Sequence, residues 1–182
     1  MKDYRIARIE KQADAVWGKD RSPKEMLVIG RREWIGLPQL GVSALHGKID
    51  TGAYRSSLHA EQVEAFMRED EEWVRFITHS QDGREVACQC EVAFRKRVKS
   101  SNGEARERYF LRTKFRTPRG LEWPVLVSLA DRSEMTFPLL IGRRALSRRF
   151  VVDTSQSHLL GSQGDLTGKH WKRKRKENQQ GE

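Results

Sequence analysis

Apolar positions along this chain recur mostly at every second residue and in short runs, and only rarely at helical spacing. From Glu85 to Phe94 the alternation is strict. Val86, Cys88, Cys90, Val92 and Phe94 share one face, and charged or polar residues mostly occupy the other, as in a half-buried strand. Tyr109, Leu111, Thr113 and Phe115 repeat the pattern after the turn Ser101-Asn102-Gly103, so the two runs predict a long hairpin with a basic tip. Shorter strands are predicted at Met26 to Ile29, through Val42, Ala44 and Leu45 after the turn-rich Gly36-Leu37-Pro38, and at Trp73 to Thr78, Trp123 to Leu129 and Phe150 to Val152. Helical signals are confined to Ala60 to Arg68 and a short turn from Gly142 to Ser147, and no internal repeat stands out. Many short strands joined by Gly, Pro and Asn turns predict an all-β barrel or sandwich with one or two short helices.

A length of 182 residues suits one domain with tails. Residues 1–25 are polar and without sustained period, so they read as an N-terminal arm; the folded domain is expected over 26–161 and a basic, disordered tail over 162–182. The 35 Lys+Arg exceed the 25 Asp+Glu by ten. The run from Lys172 to Lys176 gives the last eleven residues a net +3, which leaves the body basic as well. No stretch approaches the ~18 to 20 apolar residues that span a bilayer, so no membrane partner is expected. Cys88 and Cys90 are too close along one strand for an ordinary disulfide, which fits a reducing compartment and a cytoplasmic location.

Chemistry concentrates at Lys48-Ile49-Asp50-Thr51-Gly52-Ala53, which sets one acid between an apolar strand end and a glycine-bearing turn. Alone, the triplet also suits an Asx-type turn closing a hairpin. A second feature is Phe137-Pro138-Leu139-Leu140-Ile141-Gly142-Arg143, an apolar run ending in Gly before a short helical stretch. Together they resemble the retropepsin-like aspartic proteases, and within them the bacterial family labelled ATP-dependent zinc proteases. The resemblance runs through Lys48 to Ala60, Ser101-Asn102-Gly103, Asp131-Arg132-Ser133 with Met135, Pro138 to Arg143 and Val151-Val152-Asp153.

That resemblance implies a closed acid-protease barrel with Asp50, Thr51 and Gly52 as the catalytic loop. A single chain offers one Asp-Thr-Gly, so a second Asp50 would come from a second subunit and the enzyme would be a homodimer. Thr51 would bridge the two loops, and Gly52 would admit the substrate backbone. The Arg that follows the apolar-apolar-Gly element pairs in viral relatives with an acid where this chain has Tyr54, so Arg143 needs another partner. Asp153-Thr154-Ser155 looks like a second catalytic triplet, but Ser155 replaces the glycine and a structural turn is expected there. The label's zinc and ATP find no support in motifs: His-Glu-x-x-His and the phosphate-binding Gly-x-x-x-x-Gly-Lys-[Ser/Thr] are both missing, and His46, His59, His79, His158 and His170 are scattered. No metal or cofactor is expected.

The resemblance also assigns the groove to Ala53, Tyr54 and Arg55 and to a flap at Phe94 to Tyr109, with Arg97, Lys99, Ser100, Ser101, Asn102 and Gly103 facing substrate. Arg55 and the basic flap would draw in an acidic peptide. Some members are linked to ligases that add glutamates to a small-subunit ribosomal protein, so trimming of poly-glutamate tails is the implied activity. Ala53 lacks a hydroxyl to bond the carboxylate, which favours activity nearer neutrality. A rival reading is a non-catalytic basic β-barrel that binds ribosome or RNA, with Lys172 to Lys176 on phosphates and Trp171 and Tyr109 stacking on bases.

Overall fold

The computed structural model describes residues 26–99 and 105–167, so the N-terminal arm, Ser100 to Gly103 of the hairpin tip and the Lys172 to Lys176 run lie outside the described residues. Strands form at β1 (Leu27–Gly30), β2 (Arg32–Leu37), β3 (Val42–Asp50), β4 (Ser56–His59), β5 (Glu61–Arg68), β6 (Glu71–His79), β7 (Glu85–Lys99), β8 (Ala105–Arg116), β9 (Glu122–Ala130), β10 (Leu139–Gly142) and β11 (Phe150–Asp153). A 3-10 turn at Pro38–Leu40 and two one-turn helices, α1 (Arg143–Leu146) and α2 (Gln163–Leu166), complete the set. Residues 162–167, which charge alone assigns to the tail, thus include a helical turn, closed by a capping box between Ser162 and Asp165.

Nine strands pair in the order β2-β3-β10-β4-β9-β8-β7-β6-β5, and β2 also meets β8 at Gly36 and Arg116. The ladders from β2 round to β8 therefore return on themselves, while β7, β6 and β5 continue outward as an antiparallel extension. Inside the ring, Ile35, Leu37, Leu45, Leu58, Leu111, Phe115, Leu139 and Ile141 are fully buried. The architecture is mostly β with few helices, as the alternation predicts.

Three departures matter. The segment Ala60 to Arg68, expected as a helix, is a strand. Its good helix formers Glu61, Ala65 and Met67 are outweighed by pairing along β6, with Glu64 opposite Arg75, Ala65 opposite Val74 and Phe66 opposite Trp73. A Glu64–Arg75 ion pair at 2.5 Å and the Arg68 guanidinium 4.8 Å over the Trp73 ring reinforce that register. So short a helix would be marginal, whereas the strand satisfies the open edge of β6.

Phe94 does not share a face with Val92. A bulge makes Val92 pair with Leu111 while Phe94 pairs with Phe110, leaving Ala93 as the extra residue and moving everything beyond it to the opposite face.

The third departure is a short repeat. Leu27-Val28-Ile29-Gly30-Arg31-Arg32 matches Leu139-Leu140-Ile141-Gly142-Arg143-Arg144, and each apolar strand lies parallel to one that ends in Asp and is followed by Thr: Gly142 is opposite Asp50, and Gly30 opposite Asp153. Six residues in two distant copies are below what composition or period reveals, and only the matching strand pairs make them conspicuous.

Candidate active site

Asp50 is the last residue of β3, held there because β10 runs beside it in parallel through Ile141 and Gly142. The chain then folds back on the carboxylate. Asp50 Oδ1 accepts the N–H groups of Gly52 and Ala53 at 2.9 and 3.0 Å. A Cβ on residue 52 would stand 3.2 Å from that oxygen. Both bonds fall on one oxygen, so the loop orients the carboxyl group as well as anchoring it.

The loop is fastened from behind by the start of α1. Arg143 N–H donates to Ala53 O at 2.9 Å, Arg144 N–H to Tyr54 O at 3.2 Å, and Arg143 Nη1 to Gly52 O at 2.8 Å. Arg143 thus finds its partners in main-chain carbonyls of the loop rather than in an acid, which answers the loss of the acid at Tyr54. Gly142 packs against the Arg55 backbone so closely that a Cβ would lie 2.5 Å from its carbonyl, and Gly142 N–H donates to the buried Ser56 Oγ at 3.2 Å. Thr51 is exposed.

Cations surround the loop. Tyr54, 44% exposed, has the guanidinium groups of Arg55, Arg143 and Arg144 at 5.2, 5.4 and 5.8 Å from its ring, and Arg144 Nη1 donates to its hydroxyl at 2.6 Å. Arg55 also lies over Phe94 and Phe110, whose rings stack 4.6 Å apart. Burial, then the charge of Arg144, lowers the Arg55 pKa. Arg132 donates from Nε to Phe137 O at 3.1 Å. Its pKa is lowered by burial and by Arg108, and the Asp50 charge opposes that shift.

The bulge decides which flap residues share this side. Phe94 faces Arg55, so the cross-strand pairs Lys96–Arg108 and Val98–Arg106 lie on the same face. Arg95 and Arg97 lie on the other face, where Arg95 meets Glu107 and Glu72. Lys99 pairs along the backbone with Ala105, and Ser100, Ser101, Asn102 and Gly103 are outside the described residues. Arg132 and Arg108 carry no signal in period or local spacing, because four separate segments deliver the cations.

Folding also gathers histidines that the sequence scatters. His59, Glu61 and His79 place one potential ligand atom each within 4.8 Å of one another. Arg132 N–H donates to His59 Nδ1 at 3.0 Å, so that nitrogen is unprotonated and the neutral ring carries its proton on Nε2, 2.9 Å from Glu61 Oε1. A cation at Nε2 would have to displace that proton while Nδ1 is barred from taking it, so the donor set suits a hydrogen-bond chain better than a metal. Elsewhere, the Cys88 thiol is pushed up to about 11, chiefly by burial, and its Sγ points at Leu40 O. That is a core thiol.

Asp153 repeats the Asp50 turn in outline. Its Oδ1 accepts Ser155 N–H and Oγ–H at 2.9 and 2.7 Å, which lowers its pKa. Arg31 N–H donates to Gln156 O at 2.9 Å just as Arg143 does to Ala53, and a Cβ on Gly30 would meet that same Gln156 carbonyl at 2.7 Å. The serine hydroxyl occupies its carboxylate, and the buried Glu33 closes the second copy by accepting N–H groups of Gly30, Leu159 and Leu160. Asp153 sits in the structural turn that Ser155 suggested.

Known proteins share this fold and part of this sequence. The solved structure of Lpg0085, a Legionella pneumophila protein of unknown function, superposes with a TM-score of 0.64 at 21% identity, covering 75% of this chain and 99% of that one. Curated relatives named "Probable alpha-L-glutamate ligase" are 41% identical over 142 residues in Shewanella pealeana and 35% over 137 in Desulfotalea psychrophila. Those matches take in 76% and 74% of this chain but 31% and 29% of the relatives, so the chain spans about a third of their length. The profile described as retropepsin-like aspartic endopeptidase RimB matches residues 28–163. The chain belongs to the RimB-like family of retropepsin-like aspartic endopeptidases.

Proposed function

We propose that the protein is an aspartic endopeptidase acting as a homodimer in the cytoplasm, with two Asp50 carboxyls sharing one proton. The observation that carries this reading is the Asp50 loop itself: a carboxylate held through one oxygen by two backbone N–H groups and buttressed by Gly142 and Arg143. In the dimer the ionised Asp50 takes a proton from water as the resulting hydroxide adds to the scissile carbonyl, and the protonated Asp50 gives its proton to the carbonyl oxygen. Breakdown of the tetrahedral intermediate returns a proton to the leaving amine and re-forms the carbonyl. Thr51, at the exposed tip, would bond across the two loops. The ring of ladders from β2 to β8 would be the closed barrel of acid proteases. The outer pair β1 and β11 supports pairing of subunits, since Leu27, Val28 and Val151 leave about half their surface in solvent.

The substrate reading is an acidic peptide, most specifically a poly-glutamate tail on a ribosomal protein. Arg55, Arg132, Arg143 and Arg144 around one carboxyl loop support it, because they offset the charge a glutamate-rich substrate brings to a carboxylate site. The relatives add a second support: a domain like this one occurs within chains named as glutamate ligases, where a hydrolase of glutamyl bonds would oppose the ligase. Tyr54 and Arg55 would meet the substrate side chains, with Ala53 beside the carboxylate.

The test is cleavage of a glutamate-tailed peptide by purified wild type and Asp50→Asn, followed by mass spectrometry, with subunit mass read by light scattering. Wild type is expected to shorten the tail and Asp50→Asn to leave it intact, with mixed subunits losing activity faster than dilution alone explains. Equal cleavage by the variant would remove the aspartic mechanism. Strong ribosome binding by both proteins with no cleavage by either would favour the RNA-binding barrel.

A further inference from the structure

The turn after β9 carries Arg132, and one side chain from a different strand holds that turn. His59, at the end of β4, is 7% exposed. Its Nδ1 accepts the main-chain N–H of Arg132 at 3.0 Å, and its Nε2 faces Glu61 Oε1 at 2.9 Å. The same turn is pinned a residue earlier by Asp131, whose Oδ1 accepts Ser133 N–H and Oγ–H at 3.0 and 2.7 Å. Further along, Arg132 Nε donates to Phe137 O at 3.1 Å, just before β10, the strand that backs Asp50. A main-chain donor and a side-chain donor of one arginine are therefore both committed.

We propose that His59 is a positioning residue for this site: in its neutral form its Nδ1 accepts the Arg132 N–H and so fixes the turn whose Arg132 Nε holds Phe137 O just before β10, the strand beside Asp50. This rests on the aspartic-endopeptidase reading for its consequence in catalysis, although the hydrogen bond is independent of it. Protonation removes the acceptor. A proton on Nδ1 would face the Arg132 N–H donor to donor and turn instead to Asp131 Oδ1, 4.0 Å away, a carboxyl kept below the usual range by Ser133, His59 and Arg106. The other groups facing the imidazole are Glu61 from β5 and His79 from β6, whose ring lies 6.2 Å away and nearly parallel. A ring protonated on Nδ1 therefore cannot hold the Arg132 turn as the neutral ring does.

Two substitutions separate the two ring nitrogens. In His59→Asn the amide oxygen reaches the Nδ1 position and can still accept from Arg132, but the Glu61 contact is lost. In His59→Gln the amide reaches toward Glu61, and the acceptor for Arg132 is lost. Cleavage of a synthetic glutamate-tailed peptide is expected to stay within about twofold of wild type for His59→Asn and to fall about tenfold or more for His59→Gln, the worth of one buried hydrogen bond.

The activity-independent reading is the backbone amide signal of Arg132 in a nitrogen-15 spectrum. It is expected to move with the His59 ring signals as pH is lowered, and to keep a hydrogen-bonded shift at low pH in His59→Asn. An Arg132 amide that ignores His59 titration overturns the proposal, as does equal loss of activity in both variants at matched thermal stability. Tight zinc binding that disappears in His79→Ala would also overturn it, because Nε2 would then be a ligand. Should wild type fail to cleave any peptide, the endopeptidase reading fails while the amide titration still decides the role of His59.

Discussion

At Gly142 and at Gly30 a glycine lets one backbone lie directly against another. A methyl at residue 142 would press on Arg55 main-chain atoms at 2.5 Å, and one at residue 30 on Gln156 and Ser157 at 2.7 Å. Main chain cannot rotate away, so Gly142→Ala and Gly30→Ala are each expected to lose roughly 1–3 kcal/mol in urea unfolding. Only the first should also lose peptide cleavage when both are assayed well below their unfolding temperatures, since only Gly142 touches the Asp50 loop. Asp50-Thr51-Gly52-Ala53 was legible in the sequence because its residues are consecutive and their chemistry is local. Arg55 was legible beside it, but its meeting with Arg132 and the Arg143-Arg144 pair was not, since it arises only when three segments fold together. His59 lay within the stretch that carries the family resemblance, yet one histidine among five has no role until Arg132 is seen to donate to it.

Among elements, the hairpin of β7 and β8 shows how one extra residue redirects a row of charge. Strict alternation through Phe94 assigns the odd-numbered basic residues to one face, and the bulge at Ala93 sends them to the other. The two faces can be told apart kinetically. Arg108→Ala is expected to raise KM for an acidic peptide about three- to tenfold with little change in kcat, whereas Arg97→Ala should leave KM within about twofold. The reverse order would return the groove to the face of Arg97. Periodicity located both strands because alternation is a property of neighbouring residues, and it missed the bulge because that depends on the partner strand. The same limit explains β5. Its residues favour a helix in isolation, and the edge of β6 decided otherwise.

Taken whole, the molecule carries a formal charge of +10, and the cations near Asp50 are part of that excess. Capture of an acidic peptide should therefore be salt-sensitive: raising KCl from ~20 to ~200 mM is expected to lower kcat/KM for a glutamate-tailed peptide severalfold, and to change it little for a neutral peptide of the same length. Equal salt dependence for the two peptides would place the useful charge away from the site. The repeat also belongs to this scale. Two parallel strand pairs, β3 with β10 and β1 with β11, end in the same Asp-Thr turn behind the same apolar-Gly-Arg-Arg segment. Serine against glycine at the third position, and a buried glutamate against an alanine three residues after the repeat's glycine, make one a free carboxyl loop and the other a closed turn.

What the chain determined by itself was whatever short-range chemistry can carry: strand periodicity, the acid-bearing turn, the apolar-Gly segment and an excess of positive charge. Tertiary structure decided which side of the hairpin faces the loop, which arginines gather round Tyr54 in that loop, which nitrogen of His59 holds the proton, and that β5 is a strand. Each of those depends on hydrogen bonds and contacts between residues far apart in sequence, and their energies exist only once the partner segment is in place.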